Sequence, residues 1–345
     1  MGRGLAALAV VLLHAEGMLL PATSSAPYGF GGLFRYGFLG VDFFFVLSGF
    51  IIYFVHANHI GKPTLAVNYL CRRLFRILPA YWFVLILLLM LLPFQKTWPE
   101  MSMNWFIQQF TLTGQQLWIS QAWTLQHEFL FYAFFLLLIL FGRGAWIIML
   151  SWVAACVYVS IGQEVVPRKT WFDIFFHPYH VMFIAGICTA TVAKSTPANW
   201  FKYSWFVAGL FVFTSWMLVS RQDTLASHSA LRYYCSAAFG TAVLVFLISL
   251  GRTNLRFPTS LTWLGKVSYA MYIAHGIIFM VIQSALKRSE LYMHTAPWLI
   301  FVAGTLICVA VSGLIQTLVE EPGIRLGRWA ANRLANKKQP VSPAL

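Results

Sequence analysis

Eleven residue steps separate Arg3 from His14, and the stretch between them, Gly4 to Leu13, is almost wholly apolar. On an α-helix eleven steps of about 100° make three turns plus about 20°, so both side chains share one face about 16 Å apart along the axis. A histidine set deep in an apolar helix needs a partner or a task. The tasks open to imidazole are general-base catalysis and nucleophilic catalysis. Carboxylates recur at similar depth: Glu16 near His14 in the same segment, Asp42 early in the second segment, and Glu128 next to His127 in the fourth. His275 lies past the middle of the ninth. Titratable groups at a shared depth point to a bundle interior or a wet cavity. A carboxylate beside an imidazole is a common way to tune a base.

A second cluster is Arg72-Arg73-Leu-Phe-Arg76, ending in Ile-Leu-Pro79. Arg73 and Arg76, three apart, are neighbours on one helix face. Guanidinium groups suit phosphate by charge and by bidentate geometry. The same residues also serve as a positive-inside anchor. Ser48-Gly49 reads as a small, close-packing step in a membrane helix. No nucleophile-elbow pattern surrounds Ser48. The sequence has no phosphate-binding glycine loop, no His-Glu-x-x-His and no Cys-x-x-Cys, so no metal is expected.

These groups need apolar helices to hold them. The chain has 345 residues, 59% hydrophobic and 10% charged. Soluble domains carry about 25% charged residues, so this chain has too little polar surface for water. It reads as an all-α membrane protein, about ten helices in one polytopic bundle, each near the length a bilayer requires. The expected spans are 4–22, 37–57, 77–94, 123–141, 145–162, 177–194, 202–220, 232–250, 262–285 and 296–318. The net charge of +14 sits at span ends and reads as topology rather than nucleic-acid binding. Most of it falls on one side, which places both termini in the cytoplasm. Residues 1–322 form the membrane domain, and 323–345 a basic cytoplasmic tail that is partly disordered. The Trp-rich connection 95–122 reads as an interfacial anchor or a lid. The five cysteines are isolated and suggest no disulfide framework.

Six segments in order resemble the membrane-bound acyltransferase-3 family, bacterial enzymes that acylate cell-surface carbohydrate. They are Arg3 to His14, Gly40-Val-Asp42 to Gly49-Phe, Arg72 to Pro79, Trp123-Thr-Leu-Gln-His-Glu128 to Tyr132, Leu264 to His275, and Glu321-Pro322. The resemblance implies an acetyl-CoA-dependent O-acetyltransferase in the bacterial inner membrane, acting on an exopolysaccharide or its lipid-linked precursor. On that reading Arg3, Arg72, Arg73 and Arg76 meet the phosphates of acetyl-CoA. His14 acts as base or acyl carrier, and Asp42 or Glu128 orients its imidazole. Trp123, Tyr132 and His275 contact the carbohydrate acceptor. Partners are membrane lipid, that acceptor and the polysaccharide biosynthesis machinery. The rival reading is a proton-coupled carrier or flippase for a glycan, since intramembrane His, Asp and Glu also build proton relays.

Overall fold

The computed structural model describes residues 1–20, 30–91, 101–161, 170–197, 209, 211, 230–252, 256–289 and 294–336. In chain order its helices are α1 (Gly2–Leu19), α2 (Leu39–His56), α3 (Ala66–Met90), α4 (Met103–Thr111), α5 (Trp123–Phe141) and α6 (Ala145–Ser160). There follow α7 (Trp171–Phe175), α8 (Tyr179–Ser195), α9 (Ala230–Gly251), α10 (Thr259–Arg288), α11 (Pro297–Ile315) and α12 (Glu321–Asn336). No strand occurs among the described residues. Nine of these helices, all but α4, α7 and α12, overlap nine expected spans, although α3 begins at Ala66, eleven residues before the expected 77. The tenth, 202–220, lies outside the described residues apart from positions 209 and 211. Residues 95–100 and the Pro/Ser-containing end from 337 also lie outside them. Large apolar side chains such as Ile147 and Leu306 expose most of their area on the outer surface. That suits lipid as the solvent rather than water.

Helix α1 runs parallel to α10. Gly4 packs on the backbone of Leu264 and Gly265, where a Cβ would come within 2.7 Å of Gly265 N. Farther along, His14 meets His275, and the Gln283 amide donates to the Met18 carbonyl at 2.6 Å. Backbone approach this close requires glycine, the usual means of packing helices in lipid.

The segment before α2 turns back alongside α1. Its anchor is Glu16, fully buried, whose carboxylate accepts from the backbone N–H groups of Phe30 (2.9 Å), Gly32 (3.1 Å) and Phe34 (3.1 Å). Gly31 and Gly32 have φ of +66° and +78°, a left-handed conformation open to glycine. It gathers successive N–H groups around one anion. The chain then passes Ala9 at Gly37 and Ala6 at Gly40, both without room for a Cβ. Helix α2 therefore begins partway down α1, not level with its far end. It packs on α8 through Gly49 and Gly186, each against the other helix's backbone. The Ser48-Gly49 step thus supplies the close packing its composition suggests.

The connection into α5 is folded onto the bundle. Gln109, buried, accepts from the Trp118 N–H at 2.8 Å and donates to the Gln116 carbonyl at 3.1 Å. Gln126 donates to the carbonyls of Leu112 and Gly114. Tyr81 and Trp82 of α3 donate to the carbonyls of Gln109 and Phe110. At the other end of the chain, a five-residue π-helical turn, Gln316–Glu320, joins α11 to α12. Helix α12 carries the backbone through Asn336, past the expected start of a tail at 323. Gly323 and Gly327 let it lie against Pro79, Phe75 and Cys71 of α3. Its outer face is charged, with Arg325 and Arg328 at 3.2 and 3.6 Å from Glu321.

Candidate active site

Helices α1, α2, α3, α5 and α10 enclose a cavity at the Arg3 end of α1. It holds about 800 Å³ of atom-free space, part of it open toward the surface. Arg3, Arg73, Arg76, Ser48, Glu128 and Tyr132 are among its lining. Three guanidinium groups from two helices thus converge on one space, which suits a multiply charged anion. The Nε of Arg73 is buried with no hydrogen-bond partner, a donor that calls for an acceptor. Another nitrogen of the same group, Nη2, lies 2.8 Å from His56 Nε2, and guanidinium is the donor there. His56 in turn lies 3.1 Å from His59, Nδ1 to Nδ1, so a short histidine chain pins Arg73. Arg72 faces away: it is bound to Asn68 at 2.8 Å in an exposed position.

Two carboxylates balance this charge. Glu128 accepts from Ser48 Oγ at 3.0 Å and from the Tyr132 hydroxyl. Glu320, 3% exposed, sits in the π-helical turn within electrostatic reach of Arg76 and Arg3. One of its oxygens has no hydrogen-bond partner. Such π-turns inside helices are frequent at functional sites.

His14 occupies a second cavity, toward the opposite ends of α1 and α3 and at the middle of α10. That space holds about 750 Å³ and is lined by His14, Val84, Trp118, Gln121, Gly276 and Met280, among others. His14 Nδ1 lies 2.8 Å from the Val10 carbonyl. A carbonyl only accepts, so Nδ1 carries the hydrogen and Nε2 keeps its lone pair. The His14 ring stands 4.7 Å from that of His275, tilted by 52°. His275, fully buried, is 3.1 Å from the side-chain nitrogen of Gln121. That amide donates to His275 Nε2, which leaves the His275 hydrogen on Nδ1, 3.3 Å from the Met271 carbonyl.

Two expectations are corrected. Neither Asp42 nor Glu128 orients His14. Because α2 starts opposite Ala6 to Ala9, Asp42 lies about 12 Å down the axis from His14. It also faces α9, beside Arg232 and Ser236. Glu128 is seven residues beyond Gln121, about 10 Å toward the Arg3 end, where Ser48 and Tyr132 hold it. The face shared by Arg3 and His14 does not form one continuous site either, since the two residues line separate cavities. Of the aromatic residues expected to contact acceptor, Tyr132 lines the Arg3 cavity and His275 abuts His14. Trp123 packs elsewhere, among Phe45, His127 and Tyr179.

Sequence reasoning missed His56, Gln121 and Glu320, and also Tyr269 and Tyr272, which line the Arg3 cavity. One signal was available: Tyr269, Tyr272 and His275 recur every third residue, a polar stripe on one helix face.

Comparison with known proteins places the chain in a family. The acyltransferase-3 family, described as an acyltransferase domain, matches residues 1–317. The chain is 26% identical over 332 residues to the exopolysaccharide production protein ExoZ of Rhizobium meliloti (strain 1021), covering 86% of this chain and 93% of that one. No solved structure matches. The chain, a multi-pass membrane protein, belongs to the acyltransferase-3 family.

Proposed function

We propose that this protein is an inner-membrane O-acetyltransferase that moves acetyl from acetyl-CoA to a hydroxyl of an exopolysaccharide or its lipid-linked precursor. The observation that carries the reading is the pairing of two ends. Three arginines converge at one end of the bundle, and a histidine with a free Nε2 lies at the other. The similarity to ExoZ supports polysaccharide as the acceptor class.

On this reading both termini and the Arg3 end face the cytoplasm, where acyl-CoA is made. The CoA phosphates take the donors of Arg3, Arg73 and Arg76, and the exposed Arg72 adds attraction at longer range. The acceptor enters the His14 cavity. His14 Nε2 takes the proton of the sugar hydroxyl as its oxygen attacks the thioester carbonyl. The carbon–sulfur bond breaks, and CoA thiolate recovers the proton from His14. His275 stays neutral throughout, since its Nε2 already accepts from Gln121. It limits repulsion against the cation forming on His14.

Purified protein, acetyl-CoA labelled in its acetyl group and a glycan acceptor test this directly. Label on the glycan with release of free CoA supports the transferase. Label that stays on CoA while glycan crosses a proteoliposome membrane supports a carrier.

A further inference from the structure

The Arg3 cavity and the His14 cavity share no lining residue. Between them lies a polar layer at the turn before α5, the start of α5 and the middle of α10. The Gln121 carbonyl accepts from Thr124 Oγ1 at 3.1 Å and from the Tyr272 hydroxyl at 3.2 Å. The two hydroxyls are 3.1 Å apart. The Gln121 side chain reaches the other way, to His275 Nε2 and to Ser120 Oγ at 3.2 Å. Gln121, Thr124, Tyr272 and His275 are all buried. Thr124 and Tyr272 line the Arg3 cavity, whereas Gln121 lines the His14 cavity. The layer is therefore one contact deep, with Thr124 and Tyr272 on one side and Gln121 on the other. It is also tight: Gly276 lies against the Gln121 amide with no room for a Cβ.

A layer of this composition has distinct physical properties. Its polar groups satisfy one another, so closing it leaves no buried donor or acceptor orphaned. Opening it requires the Thr124 and Tyr272 hydroxyls to leave the Gln121 carbonyl. Such bonds are of modest net strength once water can replace them, so the closed state is favoured without being locked. A thioester held on one side is meanwhile kept from water on the other, as acyl transfer to a sugar in competition with hydrolysis requires.

We infer that Gln121, Thr124 and Tyr272 form a seal between the two cavities, which parts for passage of the acyl group and otherwise excludes acceptor-side water. The acyl part of this inference rests on the donor reading above. The barrier itself does not.

The test separates the two. Ile51 lines the Arg3 cavity. In a cysteine-free chain in proteoliposomes, Ile51→Cys is exposed to a membrane-impermeant methanethiosulfonate added from the His14 side. The seal predicts slow labelling in the parent and labelling about ten-fold faster when Tyr272→Ala is added, the rate ratio of a barrier lowered by about 1.4 kcal/mol. Tyr272→Phe keeps the ring in place and stays within about three-fold of the parent. Equal labelling of parent and Tyr272→Ala, both monodisperse, overturns the seal. Thiol release from acetyl-CoA without acceptor is measured on the same variants. A rise in Tyr272→Ala supports both inferences. Faster labelling with no rise upholds the barrier and overturns acetyl-CoA as the donor in that cavity.

Discussion

His14 and His275 meet ring to ring at 4.7 Å, brought together by two parallel helices, α1 and α10. Each ring has one nitrogen committed: His14 Nδ1 to Val10, His275 Nε2 to Gln121. The pair thus presents one free base, His14 Nε2, beside a neighbour held neutral. His275→Phe keeps an aromatic ring beside His14 but loses the Gln121 bond. We expect acetyl transfer to fall by about ten- to a hundred-fold, with acetyl-CoA binding unchanged, since general-base assistance contributes about 10²–10⁴ in total. Turnover and donor affinity measured separately check this.

Arg73 and Arg76 line the Arg3 cavity whereas Arg72 does not. Arg73→Ala and Arg76→Ala should each raise the KM for acetyl-CoA by about ten-fold or more, as a bond to a charged group contributes about 1.5–3 kcal/mol. The KM for glycan should change little. Arg72→Ala should cost less than about three-fold, because an exposed charge is screened. Steady-state kinetics with each substrate varied in turn distinguish these outcomes. Equal effects of all three substitutions would contradict the assignment.

Glu16 accepts from three backbone N–H groups. Glu16→Gln replaces one acceptor oxygen by a donor facing those N–H groups. The expected cost is about 1–3 kcal/mol of stability, read as a lowered Tm in detergent. The KM for acetyl-CoA should stay at the parent value. A change in KM with no change in Tm would move Glu16 into the catalytic machinery.

The α2–α8 contact depends on absent side chains. At Gly186 an added Cβ collides with the Val46 carbonyl, whereas at Gly17 it meets nothing within 4 Å. Gly186→Leu should abolish monodisperse protein. Gly17→Ala should be tolerated and slightly stabilising, by about 1 kcal/mol at most. Size-exclusion profiles of the two variants settle the contrast.

The helices were legible because a bilayer demands apolar runs of fixed length, and α1 or α11 announces itself by composition alone. Helix α12 was not, since its charged outer face reads as a tail and only Gly323 and Gly327 betray its packing on α3. Within the site, Arg73 and Arg76 were found through their spacing, and His14 through its depth. Depth along a helix does not, however, fix that helix's offset against its neighbours. Asp42 has a depth suited to His14 in its own span, yet the Glu16-bound turn starts α2 beside Ala6 to Ala9 and carries Asp42 out of reach. Glu128 likewise goes to Ser48 and Tyr132. Gln121 left no trace in the sequence, because its role rests on a contact with His275, 154 residues away.

The central claim is that His14 Nε2 is the base for acyl transfer while the arginine cavity holds the donor independently. His14→Ala, purified and monodisperse, should bind acetyl-CoA with parental affinity and transfer no label to glycan, a loss of at least about 10²-fold. Transfer near the parental rate by His14→Ala would contradict the account.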